Sequence, residues 1–374
     1  MTSKIVLTGN ETITLNDLYT QALGIKARCK DINIDMFSSS RIEHSEDYGI
    51  LNVLAPLGEV SLAESSANEP TVLGCIRAKL TLWSFRQLCS GRLKIPYTYM
   101  KNLIDSKALP VQALFEKNVN THIAEYHNGL RIRLYRGDDG LRVRGILTPA
   151  YTVFDTDKVL ETVMSVVKQY EGIGFKIKGH FIDETGIQVR MISDEPLDVE
   201  GEEGDLFAGV LIQSGDVGNR KLSVQFFIWK QICANGLVVA KGSGEMLHKR
   251  HRGACEGDFY ESLVAAMSAL PTFAKNATEI IRTSKGEKLD EKNMKELLDR
   301  FTPVFKVTDE ERELIVSLAN ERYDTSKWGI VNAITEFAQA ERFDIDTRTE
   351  IETYAGSIIF NPKVLNGMFK SKAA

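Results

Sequence analysis

The chain has 374 residues, 43% of them hydrophobic and 26% charged, with 46 basic against 51 acidic side chains. Such a length and composition exclude a disordered tail, a collagen-like fibre and a disulfide-stapled miniprotein, and leave room for two or three domains. A net charge of −5 excludes a generic polycation that coats nucleic acid over its whole surface.

In chain order, Thr14–Cys29 is spaced as a helix, with Leu15, Leu18, Ala22 and Ile25 on one face. The apolar run Thr71–Leu80 is expected to be a strand, and Thr81 to cap a helix broken at Ser90-Gly91. Pro96 starts a further helix, and Pro110 opens a longer one to about Tyr126. From Leu130 to about Val239 the pattern has period two, interrupted by one helix, Asp155–Tyr170, with Val159, Val163, Val166 and Val167 inward. Long strands are expected at Leu206–Gln213 and Lys221–Ile232. Strands joined by short turns form antiparallel sheet, so the expected class is α+β, with covering helices. Beyond Gly257 the helices Phe259–Arg282, Glu291–Phe301, Asp309–Tyr323 and Trp328–Arg342 are expected. The implied division is an N-terminal mixed region (1–127), an antiparallel sheet core with one helix (128–256) and a helical C-terminal region (257–374).

The segment LRIRLYRGDDGLRVRG carries the densest chemical signal in the sheet region. A two-residue Asp138-Asp139 loop places Arg133 opposite Arg144 and Tyr135 opposite Arg142, with Arg131 on the same face. Like charges set across a strand pair are destabilising, so the face invites an anion. In FKIKGHFIDETGIQVRMI, a three-residue loop with left-handed Gly186 pairs Phe181 with Val189 and gathers Lys176, Lys178, His180 and Arg190. In the third strand Leu222, Val224, Phe226 and Ile228 face one side, and Lys221, Phe227 and Trp229 the other. The Gly-rich stretch 241–253 ends in the basic cluster Lys249, Arg250, His251 and Arg252. Residues 128–256 hold 17 basic and 18 acidic side chains, seven of the acids in the loop 194–205; without that loop the region is +6.

Cations interleaved with aromatics suit a single-stranded nucleic acid, which needs charge for its phosphates and flat faces for its bases. The phosphate set is then Arg131, Arg133, Arg142, Arg144, Lys176, Lys178, Arg190, Lys221, Lys249, Arg250, His251 and Arg252, and the stacking set Tyr135, Phe227 and Trp229. The packing alternative puts Phe227 and Trp229 beneath the Asp155–Tyr170 helix. His248, His251 and Cys255 have a ligand-like spacing, but no Cys-x-x-Cys accompanies them and the flanking cations repel a metal. Gly242-Ser243-Gly244 is not a P-loop, and no Gly-x-Ser-x-Gly elbow is present. No metal, cofactor or catalytic residue is therefore assigned, and a binding protein is expected before an enzyme.

VRGILTPAYTVFD, QSGDVGNRKLSVQFFIWKQICANGLVV with its Cys233-x-Asn235-Gly236 element, the basic stretch His248–Gly253 and WGIVNAITEFA together resemble the phage/plasmid-like family of unknown function. WSFRQLCSGRLKIPYTYMKNL extends the likeness toward the N-terminus. Where that family carries an Asn-Ser-Glu-x-Gly turn, this chain has Gln213, Ser214, Asp216 and Gly218 at looser spacing. The resemblance implies a role in mobile-element biology within a bacterial host. By residue geometry, Asn235-Gly236 is expected to supply a left-handed turn that ends a strand. Five irregularly placed cysteines fit reduced thiols, the longest uncharged apolar runs are far too short to span a bilayer, and the opening residues lack a secretory leader's apolar stretch. A cytoplasmic protein without a membrane partner is expected.

The leading expectation is thus a phage-type protein that binds single-stranded DNA in recombination or replication, in the manner of annealing proteins, and self-assembles along it. Two others stand beside it. One is a host-takeover or defence-related protein that docks a host partner through the acidic loop and C-terminal helices. The other is a metal-dependent nuclease using Asp183, Glu184 or His251.

Overall fold

Two six-stranded sheets organise the described residues. The computed structural model describes residues 13–45, 47–54, 75–170, 172–202, 204–231, 235–239 and 245–361. The N-terminal part contains α1 (Leu15–Lys26), β1 (Cys29–Ile34), β2 (Arg41–Glu43), β3 (Ile50–Leu54) and β4 (Cys75–Leu80). It continues through α2 (Leu82–Arg86), a π-helical turn Gln87–Leu93, α3 (Tyr97–Asp105) and α4 (Leu109–Ala124). Thr14 caps α1 reciprocally with Asp17, and Thr81 caps α2 in the same way with Ser84.

The hairpin β5 (Leu130–Gly137) and β6 (Gly140–Leu147) completes the first sheet, in the order β1-β5-β6-β4-β3-β2. Only β4 and β6 run parallel in it. The division drawn at 127/128 from sequence therefore falls between two parts of one sheet: β5 finds its partner in β1, about 100 residues upstream, rather than in the strands that follow. The inward side chains Ile32, Ile132, Leu134 and Val143 pack with Phe85, Met100, Phe115 and Val119 from the helices.

Next come α5 (Thr156–Gln169), β7 (Phe175–Asp183), β8 (Gly186–Pro196), β9 (Leu206–Gly215), β10 (Leu222–Lys230), β11 (Asn235–Val238) and β12 (Glu245–Lys249). They form an all-antiparallel sheet, β11-β10-β9-β8-β7, in which β12 also pairs with β10. The chain ends in α6 (Cys255–Gly286), α7 (Glu291–Phe305), α8 (Asp309–Ser317), a π-helical turn Leu318–Arg322, α9 (Lys327–Phe337) and α10 (Ile345–Phe360). The α+β class is as expected. The helix expected over Glu291–Phe301 runs on through Pro303 to Phe305, and α10 had no counterpart among the expected helices.

The alternation of β10 is as expected, but both of its faces are buried. Leu222, Val224, Phe226 and Ile228 join Val159, Val163, Phe259 and Leu263 in the main core. Phe227 and Trp229 pack on the opposite face with Ile192, Leu211 and Val238, not beneath α5. That second face is reached by α10, where Gly356 lies so close to the Val238 carbonyl that no Cβ fits.

Two hairpin details differ from the sequence reading. In β7–β8, Phe181 faces Gln188 and Asp183 faces Gly186, because the loop has two residues, Glu184-Thr185, with Asp183 accepting from Thr185 N at 2.7 Å, and closes one residue early. Gly186 has φ +149°, outside the left-handed helical region anticipated for it. In β5–β6, Tyr135 faces Arg142 as expected, but the register shifts at Arg133/Leu134, so Arg133 faces Gly145 and Arg144 becomes the extra bulge residue. Gly236 pairs with Trp229 inside β11 rather than making a left-handed turn. Cys233 and the stretch 240–244 lie outside the described residues.

Candidate functional site

The first sheet turns its polar face toward the β9–β10 turn and the start of α5. Val217 in that turn sits where a Cβ on Gly145 would meet it at 2.9 Å, and its carbonyl accepts from Trp83 Nε1 and Gln87 Nε2 at 3.2 and 2.8 Å. Closing this junction buries the arginines of the β5–β6 hairpin.

Arg133 is 1% exposed. Its guanidinium donates to Asp155 Oδ1 and Oδ2 at 2.7 and 2.6 Å, to Asp31 Oδ1 at 2.8 Å and to the Asp216 carbonyl. Arg144, also buried, donates to the Glu184 carbonyl at 2.7 Å and lies 3.5 Å from Asp216 Oδ2. Asp155 stands at the N-cap of α5 without capping it, because Arg133 and Lys26 occupy its oxygens. Asp216 caps in its place, accepting from Thr156 N and Oγ1 at 3.1 and 3.0 Å. Burial would raise Asp155, yet the Arg133 guanidinium outweighs it and holds the carboxyl well below the usual range. Burial and the neighbouring Asp155 push Asp216 the other way.

Arg190 is neutralised at a second place. It forms a two-pronged pair with Glu352 of α10, at 3.0 and 2.6 Å, with both side chains sealed. The anticipated open face carrying Arg133, Arg144 and Arg190 is thus an interior one, and each guanidinium has its carboxylate. Phe227 and Trp229, 0% and 3% exposed, are core rather than stacking surface.

Most of the remaining basic residues also have partners. Arg131 donates to Asn33 Oδ1 and to the Tyr151 carbonyl. Arg142 pairs with Asp139 at 2.6 Å, Lys176 with Asp194 at 3.0 Å, and Lys249 with Asp258. Tyr135 lies beneath the Arg28 guanidinium, 5.3 Å from its ring centroid. Lys178 is half-buried, beside the irregularity in β7. The acidic loop is tied to the protein itself: Asp198 accepts from Arg282, and Glu202 accepts from Trp328 Nε1 at 2.8 Å and from Lys230.

Lys178 aside, three of the predicted cations remain, and they converge. Lys221, Arg250 and Arg252 are exposed and line a cleft of about 390 Å³ beside the buried network, at the seam of the two sheets. Arg92, from the π-helical turn, and Arg220 join them. Among the described lining residues there is no carboxylate. Tyr151 and His251 form one wall, their rings stacked at 5.2 Å, and Tyr151 donates to the Gly215 and Asp216 carbonyls at 2.9 Å. Burial pushes His251 down to about 4, so it is neutral at pH 7 and holds Ser214 Oγ at 3.3 Å. Arg92 is lowered mainly by burial, with a smaller push in the same direction from nearby Arg252.

Sequence reasoning missed Arg92 and Arg220. Arg92 lies in the π-helical turn Gln87–Leu93, two residues before Lys94, and nothing local sets it apart from that neighbour. Arg220 precedes Lys221 directly, and the Asn219-Arg220-Lys221 turn could have flagged it. Among the described residues no group of three His, Cys, Asp or Glu side chains could hold a metal ion, and no helix is long and apolar enough to cross a membrane.

The family model described as a domain of unknown function (DUF932) matches residues 144–356. The chain belongs to that family. The DUF932 match begins at Arg144 within β6 and ends at Gly356 within α10, so it takes in the second sheet, the helical region and most of the cleft. No curated protein matches the chain, and no solved structure does.

Proposed function

We propose that the protein binds single-stranded nucleic acid, with its phosphates seated in the cleft of Arg92, Lys221, Arg250 and Arg252. One observation carries this reading: four cationic side chains meet in one cleft whose described lining offers no carboxylate, and a fifth, Arg220, lines it while paired with Asp346. Converging like charges cost free energy in the free protein, and a polyanion turns that cost into affinity while releasing its own counterions. The resemblance to phage/plasmid-like proteins gives the setting: DNA recombination or replication of a mobile element, annealing type, in the bacterial cytoplasm, with copies assembling along the strand.

The test is fluorescence anisotropy of a labelled 20-nucleotide strand, titrated at stepwise salt. Affinity should fall with a log–log slope of about −3, four phosphate contacts at about 0.7 each. No binding at 50 mM salt sinks the proposal.

A further inference from the structure

We infer that the cleft is a phosphomonoester site, which takes the terminal phosphate of a strand in preference to an internal diester. This rests on the proposed nucleic-acid reading and narrows it to one chemical group. The first support is where uncompensated charge lies. Along the sheet surfaces several cations are already paired with carboxylates, as in Arg142–Asp139, Lys176–Asp194 and Lys249–Asp258. A protein that tracks a long backbone needs open cations strung along a groove. Here they are gathered at one place, and a gathered set favours a compact, multiply charged anion. A phosphomonoester carries about −1.5 to −2 at pH 7, whereas an internal diester carries one charge.

The second support is unspent hydrogen-bonding capacity. The Arg220 side chain is 9% exposed; its Nε pairs with Asp346 at 2.5 Å, while its buried Nη1 has no partner among the described residues. Arg92 spends Nη2 on the Ile146 carbonyl at 3.2 Å and leaves Nε without one. Asn219 Oδ1, on the same wall, also lacks a donor. Two unspent guanidinium donors suit the oxygens of a phosphomonoester, and the unspent acceptor beside them suits an amino group of the base that carries it. The third support is size, since about 390 Å³ lies in the range of small-ligand pockets and holds a nucleotide rather than a length of strand.

A terminal phosphate can belong to a strand or to a free nucleotide, and the experiment separates them. Strands of one sequence carrying a 5′-phosphate, a 3′-phosphate or hydroxyls at both ends are titrated by anisotropy, with nucleoside monophosphate and inorganic phosphate as competitors. One phosphorylated end should bind at least tenfold tighter than the hydroxyl strand. Arg220→Gln should erase that preference, and Arg252→Gln, at an exposed position, should cut it severalfold without affecting folding by circular dichroism. Displacement by nucleoside monophosphate at concentrations comparable to the strand assigns the site to free nucleotides and still supports a phosphomonoester. Equal binding of all three strands, unchanged in both variants and resistant to monophosphate, overturns this inference while strand binding stands. If no strand binds but nucleoside monophosphate protects the protein against thermal unfolding, strand binding fails and the phosphomonoester site survives.

Discussion

The arginines of this protein fall into two populations that the sequence presents alike. Arg133, Arg144 and Arg190 lie inside, each met by carboxylates from another element: Asp155 at the start of α5, Asp216 in the β9–β10 turn, Glu352 in α10. Arg92, Arg250 and Arg252 meet at the cleft with no carboxylate in its described lining. The difference lies in what folds against each arginine. A guanidinium that brings its counter-charge into the interior holds the fold together; one left among its own kind is available to an outside anion.

That contrast can be broken from either side. The largest effects are expected inside. Glu352→Gln leaves Arg190 buried with half a partner and should cost about 3–5 kcal/mol in urea unfolding, whereas Arg190→Met with Glu352→Leu should recover most of the loss. Phe227→Ala should cost a similar 3–5 kcal/mol, and oligonucleotide affinity per folded molecule should stay unchanged. If Phe227→Ala instead weakened binding in a fully stable protein, the two populations would have been drawn wrongly.

An intermediate effect is expected from acid. His251 is held neutral, from an ordinary value of 6.5 down to about 4, so the unfolded chain takes up this proton first. Stability should therefore fall between pH 6.5 and 4, by about 3 kcal/mol at most. Asp216, held above its ordinary value, works oppositely and returns part of the loss, because its proton binds more readily in the folded state. Unfolding midpoints across that range, for the wild type and His251→Phe, should show the steeper acid loss only in the wild type. The smallest stability changes belong to the cleft: Lys221→Ala, Arg250→Ala and Arg252→Ala should each stay within about 0.5 kcal/mol. Each should reduce the salt slope of strand binding by about 0.7. A slope unmoved by all three would place the phosphate contacts elsewhere.

Local periodicity carried much of the fold. Val159, Val163 and Val166 marked the buried side of α5, and the β10 alternation sorted Phe226 and Ile228 from Phe227 and Trp229 correctly. Period two separates the faces of a strand, however, without saying what covers them. The cover on the Phe227 face includes α10, over 100 residues downstream, and no local pattern announces it. The same blindness made the Arg133 face look open, since its carboxylates come from Asp31, about 100 residues upstream, and from Asp155 and Asp216 beyond the hairpin. Lys221, Arg250 and Arg252 were legible because short exposed turns keep their charge in solvent whatever the tertiary context. Arg92 was not, because only the junction of the two sheets brings it to them.

Asp216 serves four neighbours at once: it caps α5, lies beside Arg144, and offers its carbonyl to Arg133 and Tyr151. The boundary of the DUF932 match cuts through this arrangement. A fragment starting at residue 144 would lose β5 and Arg133, leaving Asp155 with its main counter-ion gone and half of β6 without a neighbouring strand. In this chain the matched region is therefore not self-contained: a strand and an arginine from before residue 144 complete its junction.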